Sequence, residues 1–294
     1  MRIVSLNDKV LFFELFKKYG NACTIYPEFN DLMKGIRMLH QKYLPIKNSI
    51  WYTEEFKQLG NNENVVIIFD SILSVPAANF LRTHFPQLRI IYWFWNHIND
   101  NRILTGLQEG IEKWSYDIED CKKYDLRYNT QFYFKELIRD VSSTDTIWDF
   151  CFIGGEKGRI ATIEKCRDLI EKAGYSSNFI IVSDDRKKRE KQLLPYSSIV
   201  DIIQKSRCIV DIVSPAQKGL TLRPLEALYH RKKLLTNFEE IKHQDFFAPE
   251  NICVINDITY NDIISFMSTP MRDIPDEVKE QYTFQNWMNR FSEV

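Results

Sequence analysis

Short, continuous apolar runs recur along this chain, and segments with helical spacing lie between them. The clearest runs are at residues 64–70, 89–96, 148–153 and 208–213. A run that is apolar throughout, without alternation, is typical of a strand that is covered on both faces. Strands that alternate with helices predict a mainly parallel sheet with helices on both sides. The chain is therefore predicted to be an α/β protein.

The length of the chain indicates more than an ordinary single core. At 294 residues, one large domain or two medium domains are expected. The run of small polar residues at 141–146 is followed directly by a new strand, and we place a domain boundary there. The prediction is two Rossmann-like domains with mainly parallel sheets facing a central cleft. They span residues 1–145 and 146–275, and a C-terminal helix at 276–294 packs back across them.

The first domain contains a strongly patterned helix. Its apolar residues Leu32, Ile36, Leu39 and Tyr43 recur at intervals of four, three and four residues. Such intervals place the side chains on one face of a helix. We predict an amphipathic helix over residues 28–43.

Composition excludes several classes of protein. The formal net charge is -1, whereas nucleic-acid binding needs a strongly basic surface, so no nucleic-acid partner is expected. The six cysteines form no C-x-x-C pair, which indicates neither a disulfide framework nor a zinc site. The N-terminal apolar run is too short for a signal peptide, and no window is apolar enough to span a membrane. We expect a cytoplasmic protein.

A glycine-containing segment follows the strand that ends at Ile153. Its residues Gly154, Gly155, Lys157 and Arg159 combine small size with two positive charges. Glycines let backbone N–H groups approach a phosphate, and the N-terminus of the next helix favours an anion. The spacing differs from the G-x-G-x-x-G of dinucleotide-binding folds. Phosphate binding and a tight turn with solvated charges are both compatible with it.

The stretch from Asp211 to Asn237 has the pattern of strand, loop, helix and strand. It carries Lys218, Arg223 and Glu226 within about two to three helical turns. Loops at the carboxyl ends of strands form the ligand crevice of an open α/β sheet. A cation and a carboxylate there could hold a phosphate and a sugar hydroxyl. The alternative is that Arg223 and Glu226 form an i,i+3 surface ion pair, worth roughly 0.2 to 0.5 kcal/mol.

These segments together resemble the GT-B glycosyltransferases. The resemblance extends over Pro195-Tyr196-Ser197, the strand at 209–213, Gly219-Leu220-Thr221-x-Arg223-x-x-Glu226-Ala227-Leu228 and Leu235-Thr236, and the F-I-G-x-x-x-G-R at 152–159 also fits. It is closest to the spore-maturation-protein-like branch and to bacterial surface-polysaccharide transferases. The first domain matches only in its rhythm of strands and helices.

The resemblance implies separate tasks for the two domains. The C-terminal domain would bind a nucleotide sugar, and the N-terminal domain would bind the acceptor. Glu226 would accept hydrogen bonds from the ribose, Arg223 would face the diphosphate, and Tyr196 would lie near the base. The alternative for Tyr196 is a hydrophobic staple at a helix entrance.

The expected donor-binding residues are Gly154, Gly155, Lys157, Arg159, Tyr196, Lys218, Gly219, Leu220, Thr221, Arg223 and Glu226. Neither a cofactor nor a metal is expected. GT-B enzymes generally work without a bound metal, and the sequence offers no D-x-D motif or His/Cys cluster.

Two departures from the family pattern affect the chemistry. Many retaining members carry a glutamate where this chain has Lys218. A glycine usually follows E-A-L in the helix, where this chain has Tyr229. The stereochemical outcome and the donor are therefore left open.

The first domain offers two candidates for a catalytic base. An inverting enzyme needs a carboxylate or a histidine near the acceptor hydroxyl. Asp70 follows a predicted strand, and His97 lies just beyond Trp95-Asn96. Either residue could instead belong to a turn or cap a helix.

The sequence as a whole indicates a glycosyltransferase of the hexosyltransferase type. It would move a sugar from a nucleotide-sugar donor to a glycan or lipid-linked acceptor of a bacterial surface polysaccharide, such as capsule or lipopolysaccharide. The basic cluster at 185–191 is either a solvated loop or a contact with anionic lipid at the inner face of the plasma membrane. Two alternatives are a non-catalytic nucleotide-sugar or glycan-binding protein and a Rossmann-type NAD(P)-dependent oxidoreductase, whose fingerprint is absent.

Overall fold

The computed structural model describes residues 1–9, 11–19, 22–44, 48–98, 100–138, 146–185, 188–189, 192–214, 217–256 and 258–292. The chain separates into two compact units, Met1–Asn129 and Thr130–Val294. Each unit is built around one parallel sheet, so the predicted α/β class with two Rossmann-like domains is confirmed. In the described part of the chain, no helix combines the length and apolar character needed to cross a membrane.

The sheet of the first unit has six strands in the order β2-β1-β3-β4-β5-β6. These strands are β1 (Arg2–Ser5), β2 (Ala22–Thr24), β3 (Val65–Phe69), β4 (Arg89–Phe94), β5 (Glu112–Ser115) and β6 (Arg127–Tyr128). The helices are α1 (Phe13–Lys18), α2 (Asp31–Tyr43), α3 (Glu54–Lys57), α4 (Leu59–Asn62), α5 (Val75–His84), α6 (Arg102–Gly106) and α7 (Ile118–Tyr124). The central residues of β3 and β4 are fully buried, as expected for strands with helices on both faces.

The sheet of the second unit has five strands in the order β11-β10-β9-β7-β8. These strands are β7 (Trp148–Gly155), β8 (Ser177–Val182), β9 (Ser206–Asp211), β10 (Lys233–Thr236) and β11 (Ile252–Val254). The helices are α8 (Ile160–Lys172), α9 (Tyr196–Gln204), α10 (Leu222–Tyr229), α11 (Tyr260–Ser268), α12 (Asp276–Glu280) and α13 (Phe284–Arg290). Short 3-10 helices lie at Asn48–Trp51, Lys135–Leu137 and Glu239–His243.

The two units divide earlier in the chain than the boundary predicted after residue 145. Phe132, Tyr133 and Phe134 have no exposed surface, and the rings of Phe132 and Phe134 pack on Phe284. This packing places the segment with the second unit and not at the edge of the first. Residues 139–145, which include most of the polar run, lie outside the described residues.

The C-terminal segment forms two helices and not the single helix predicted over 276–294. Between α12 and α13, the carbonyl of Tyr282 accepts from the Tyr133 N–H at 2.7 Å, and the Phe284 N–H donates to the Tyr133 carbonyl at 3.0 Å. These bonds divert the backbone from helical pairing. The Thr283 side chain then caps α13 by accepting from the Asn286 N–H.

The predicted amphipathic helix is present as α2, but its apolar stripe faces outward. Leu32, Ile36, Leu39 and Tyr43 are all exposed, whereas Arg37 is buried. Helices on a globular protein usually turn the apolar face to the core. The periodicity therefore predicted the helix correctly, while the residues that hold it to the unit are polar.

Candidate active site

In the second sheet, the strand order reverses between β7 and β9. In open α/β sheets, ligands bind in the crevice outside the carboxyl ends of the strands at such a point. β7 ends at Gly155, and β9 ends at Asp211. The residues that follow these two strands therefore form the candidate donor-binding site.

Gly154 and Gly155 belong to the end of β7 and not to the turn that follows it. The turn contains Lys157, with φ of 43°, and Gly158, with φ of 69°. The Lys157 N–H donates to Oδ1 of Asp184 at 3.2 Å, which fixes the turn. A Cβ atom on Gly154 would lie 3.3 Å from Nη2 of Arg159. The glycine therefore leaves room for the arginine to fold back over the strand.

Arg159 joins the ends of the two strands. Its Nε and Nη2 atoms donate to the carbonyl of Gly155 at 3.2 and 3.1 Å, and its Nη1 atom donates to the carbonyl of Ile212. Burial lowers the pKa of its guanidinium, and the Asp211 carboxylate opposes that shift. A positive charge is thus held in the crevice between β7 and β9.

Arg223 is the second cation at this edge of the sheet. Its Nη1 atom donates to Oε2 of Glu226, and its Nη2 atom donates to the carbonyl of Ile153 at 2.9 Å. Burial lowers the pKa of Arg223, but the neighbouring Glu226 carboxylate outweighs it and the net direction is upward. Arg223 keeps 19% of its side chain exposed, while Glu226 has none. The alternative of a surface ion pair is therefore wrong.

The entrance to α10 is fixed by a buried carboxylate. The Thr221 hydroxyl, at the N-cap position of α10, donates to Oδ2 of Asp211 at 2.9 Å. Burial raises the pKa of Asp211, and the Thr221 bond and the Arg223 charge oppose the rise. Because Asp211 is the last residue of β9, this bond ties the helix that carries Arg223 to the strand.

Glu226 also accepts from Tyr196, whose hydroxyl lies 2.7 Å from Oε1. Burial and the Glu226 charge raise the pKa of Tyr196. Both oxygens of Glu226 are thus occupied by protein groups. Direct contact with a ribose would require Tyr196 to leave Oε1.

A line of buried hydrogen bonds continues from Tyr196 into the second unit. Its hydroxyl lies 3.2 Å from that of Tyr133, which lies 2.7 Å from Nε2 of His230; Nδ1 of His230 lies 2.6 Å from Nε2 of Gln204. A hydroxyl has one proton, so Tyr196 donates to Glu226 and accepts from Tyr133. Tyr133 then accepts from Nε2–H of His230, and Gln204 donates to Nδ1. We call these four residues, Tyr196, Tyr133, His230 and Gln204, the buried relay.

The remaining predicted donor residues are more dispersed. Lys157 and Lys218 are exposed, and Gly219 is buried. Leu220 is buried in the apolar core of the unit, so its side chain is structural. The structure therefore brings together Arg159, Tyr196, Thr221, Arg223 and Glu226 and adds Asp211 to them. Asp211 could have been found from its place at the end of an apolar strand.

In the first unit, Asp70 follows β3 and faces a pocket. The pocket is lined by Leu6, Leu11, Phe69, Asp70, Trp95 and Asn96. The order of this sheet reverses between β1 and β3, so the pocket lies at the corresponding crevice. Asp70 accepts from the Trp95 N–H at 2.9 Å. Burial nevertheless raises the pKa of Asp70 to about 6.

His97 lies between two buried carboxylates that the sequence analysis did not identify. Its Nδ1 atom is 3.3 Å from Oδ2 of Asp117 and 3.2 Å from Oδ2 of Asp120. Asp117 also caps α7 by accepting from the N–H groups of Glu119 and Asp120. The two aspartates follow β5, and their i,i+3 spacing at a helix start was the available signal.

The cluster of His97, Asp117 and Asp120 can hold a proton or a cation. Its three ligand atoms lie within 4.8 Å of one another. Imidazole and carboxylate ligands suit several divalent metals. A carboxylate beside an imidazole can equally orient it as a general base. The metal-independent mechanism thus remains a prediction.

Comparison with known proteins gives similarity to solved structures alone. No protein-family model and no curated protein matches the chain. AviGT4, a glycosyltransferase involved in avilamycin A biosynthesis, is 10% identical, with a TM-score of 0.48 over 82% of this chain and 76% of its own. The lipopolysaccharide outer core galactosyltransferase WaaB is 12% identical, with a TM-score of 0.48 over 98% and 86%.

The spinosyn rhamnosyltransferase SpnG is 11% identical, with a TM-score of 0.37 over all of this chain and 95% of its own. These three structures are glycosyltransferases by name. At these identities and TM-scores, the similarity supports no conclusion about the activity of this chain.

Proposed function

We propose that this protein is a glycosyltransferase that moves a hexose from a nucleotide-sugar donor to a glycan or lipid-linked acceptor. The observation that carries the proposal is the convergence of Arg159 and Arg223 at the point where the second sheet reverses its strand order. Sugar transfer releases a nucleoside diphosphate, so positive charge is needed where the charge of the leaving group develops. Guanidinium groups are well suited to phosphate because they present several donors in one plane.

In this proposal, Glu226 serves the donor site mainly by holding Arg223 and Tyr196. A buried carboxylate that accepts from both groups keeps the guanidinium fixed before the donor arrives. Such preorganisation favours catalysis because the charge need not be rearranged during the reaction. A ribose hydroxyl that displaces Tyr196 from Oε1 would provide the contact that the family resemblance implies.

The acceptor is proposed to bind in the pocket beside Asp70. An acceptor hydroxyl must lose a proton as it attacks the sugar, and a base with a pKa near the working pH is best suited to accept it. Asp70 has a pKa of about 6 and lines the pocket together with Trp95. His97, oriented by Asp117 and Asp120, is the second candidate base.

The role in surface-polysaccharide synthesis rests on the resemblance of residues 195–236 to transferases of that kind. The proposed mechanism uses no metal or cofactor, and the proposed location is the cytoplasm or the inner face of the plasma membrane. The competing candidate is a protein that binds a nucleotide sugar without transferring it. It would bind donor and release no nucleoside diphosphate with any acceptor.

A thermal-shift screen against UDP, GDP, CDP, TDP and their sugars tests the donor site. A ligand at 100 times its dissociation constant should stabilise the fold by about 2.7 kcal/mol. Arg223→Gln should reduce the shift. Arg167→Gln is a matched control because Arg167 forms an i,i+3 pair with Glu164 on the more exposed surface of α8. No shift with any nucleotide, or an equal shift in the Arg223 variant, would contradict the proposal. A shift with NAD(P)H alone would favour an oxidoreductase.

A further inference from the structure

Helix α2 is attached to the first unit through its polar residues. The Arg37 guanidinium lies 4.0 Å from the centre of the Tyr26 ring, and Nε2 of Gln41 donates to the Tyr26 hydroxyl at 2.9 Å. The Trp51 Nε1–H donates to Nδ1 of His40 at 3.1 Å. Arg37, His40 and Gln41 share one face of the helix, so the interior is in contact with cation–π and hydrogen-bonding groups.

The opposite face of α2 is apolar and exposed. We call Leu32, Ile36, Leu39 and Tyr43 the α2 apolar face, and their exposed fractions are 72%, 44%, 60% and 65%. Met38 and Leu44 beside it are 55% and 63% exposed. Single exposed apolar residues are ordinary, but a continuous stripe on a helix is typical of an interaction surface.

The charge of the surrounding chain indicates which surface this is. The first 50 residues contain eight Lys and Arg against four Asp and Glu, whereas the remaining 244 contain 31 against 36. An excess of positive charge around an apolar helix face favours a surface that is both apolar and anionic. A second copy of the same face would carry the same excess charge, and like charges oppose such a pairing.

We propose that α2 docks the protein on an anionic lipid bilayer, with the α2 apolar face inserted among the acyl chains. The helix would lie in the plane of the interface and would not cross it, since α2 has 13 residues. This places the membrane contact on the first unit and not on the basic cluster at 185–191, part of which lies outside the described residues. The inference stands independently of the proposed sugar transfer. If both hold, the unit with the Asp70 pocket is the one held near a lipid-linked acceptor.

Vesicle co-sedimentation of the full chain tests the docking. Vesicles of phosphatidylcholine with phosphatidylglycerol should bind the protein, and binding should weaken on vesicles of phosphatidylcholine alone and at high salt. Replacing two leucines of the α2 apolar face, Leu32→Ser with Leu39→Ser, should reduce binding by at least about tenfold, since each buried leucine corresponds to about tenfold or more in affinity. Leu193→Ser should leave it unchanged. Leu193 is a matched control because it is 59% exposed, against 60% for Leu39, and lies in the second unit.

Several results would overturn the docking proposal. Wild-type protein that stays in solution with the anionic vesicles does so, as does equal binding by the double variant. An equal loss in the Leu193 variant would also contradict a specific role of α2. Light scattering provides a separate check, because a wild-type dimer that the double variant dissolves would show that a second copy covers this face. Leu39→Asp serves as a second variant if the double variant does not fold.

Discussion

Arg223 and Glu226 form a buried ion pair in which the guanidinium also donates to the carbonyl of Ile153 at 2.9 Å. The pair therefore joins the first turn of α10 to the end of β7. Its carboxylate has no exposed surface. Removing one partner leaves the other charge in an apolar environment, which costs more than the pair itself contributes.

The first prediction separates the structural role of this pair from its role in binding. Arg223→Met should lower the free energy of unfolding by about 3 to 5 kcal/mol, because it leaves the Glu226 carboxylate buried and unpaired. Arg223→Met with Glu226→Leu should recover much of that loss, while donor binding stays impaired in both variants. Urea unfolding and nucleotide titration measure the two effects. Equal stability of the single and double variants would show that the ion pair is not responsible.

A second prediction concerns the competition between Tyr196 and a donor for Oε1 of Glu226. Tyr196→Phe removes the hydroxyl that occupies this atom. A hydrogen bond to a charged group is worth about 1.5 to 3 kcal/mol, so the ligand-free variant should be less stable by about that amount. The stabilisation by donor should increase, because a ribose hydroxyl no longer has to displace the tyrosine. Calorimetric unfolding with and without nucleotide gives both values. A weaker donor effect would indicate that the Tyr196 hydroxyl itself contacts the ligand.

The buried relay leads to a third prediction. Tyr133→Phe removes the link between Tyr196 and His230 and leaves Nε2–H of His230 buried without an acceptor, which costs about 1 to 3 kcal/mol. A cycle with Tyr196→Phe should give a coupling energy of about 0.5 to 3 kcal/mol, since the two hydroxyls are in contact. Denaturant unfolding of the four proteins measures it. Additive losses would mean that the two hydroxyls act separately.

The sequence allowed the strands and the local pairs to be predicted, but not the partners that are distant along the chain. The apolar run before Asp70 and the spacing of Arg223 and Glu226 are local, and both features are present in the structure. His230 and Tyr133 are separated by 97 positions, and no local pattern connects them. The segment around Tyr133 also lacks regular periodicity, which is why it was assigned to the wrong unit.

The orientation of α2 shows a different reason for limited prediction. The period of Leu32, Ile36 and Leu39 defines a face of the helix but does not determine what covers it. Arg37 packs inward because Tyr26 offers an aromatic face, and that partner lies outside the helix. A periodic pattern therefore predicts which residues act together and leaves the direction of the face to tertiary contacts.

A fourth prediction follows from the raised pKa of Asp70. A base must be unprotonated, so the transfer rate should rise with pH through about 6 and then level off. Asp70→Asn should remove this limb and lower the rate by about 10²- to 10⁴-fold. His97→Gln should keep the limb if Asp70 is the base. A pH profile of kcat/KM for the three proteins tests this. A limb that survives in Asp70→Asn would assign it to another group.

Asp70 should also make the stability of the first unit depend on pH. Its pKa rises from 3.8 in the unfolded chain to about 6 in the fold, so the folded state binds the extra proton between these values. The stability associated with the protonated form is complete below pH 3.8 and is lost as the pH rises through about 6. Two pKa units correspond to about 3 kcal/mol. Unfolding of wild type and Asp70→Asn across this range should show a difference that grows with pH in favour of the variant, and parallel curves would contradict the assignment.

A final prediction tests whether the cluster of His97, Asp117 and Asp120 serves a metal. Oδ1 of Asp117 accepts from two backbone N–H groups, and Oδ2 of Asp120 accepts from the Ile98 N–H at 2.9 Å while lying 3.2 Å from the imidazole. Because protein donors already occupy much of the lone-pair capacity of the two carboxylates, a cation would have to displace them. EDTA should therefore leave the transfer rate unchanged, and adding Mg²⁺ or Mn²⁺ afterwards should have no effect. A rate that falls with chelator, returns with Mn²⁺ and does not return in His97→Gln would establish a metal at this cluster and contradict the proposed mechanism.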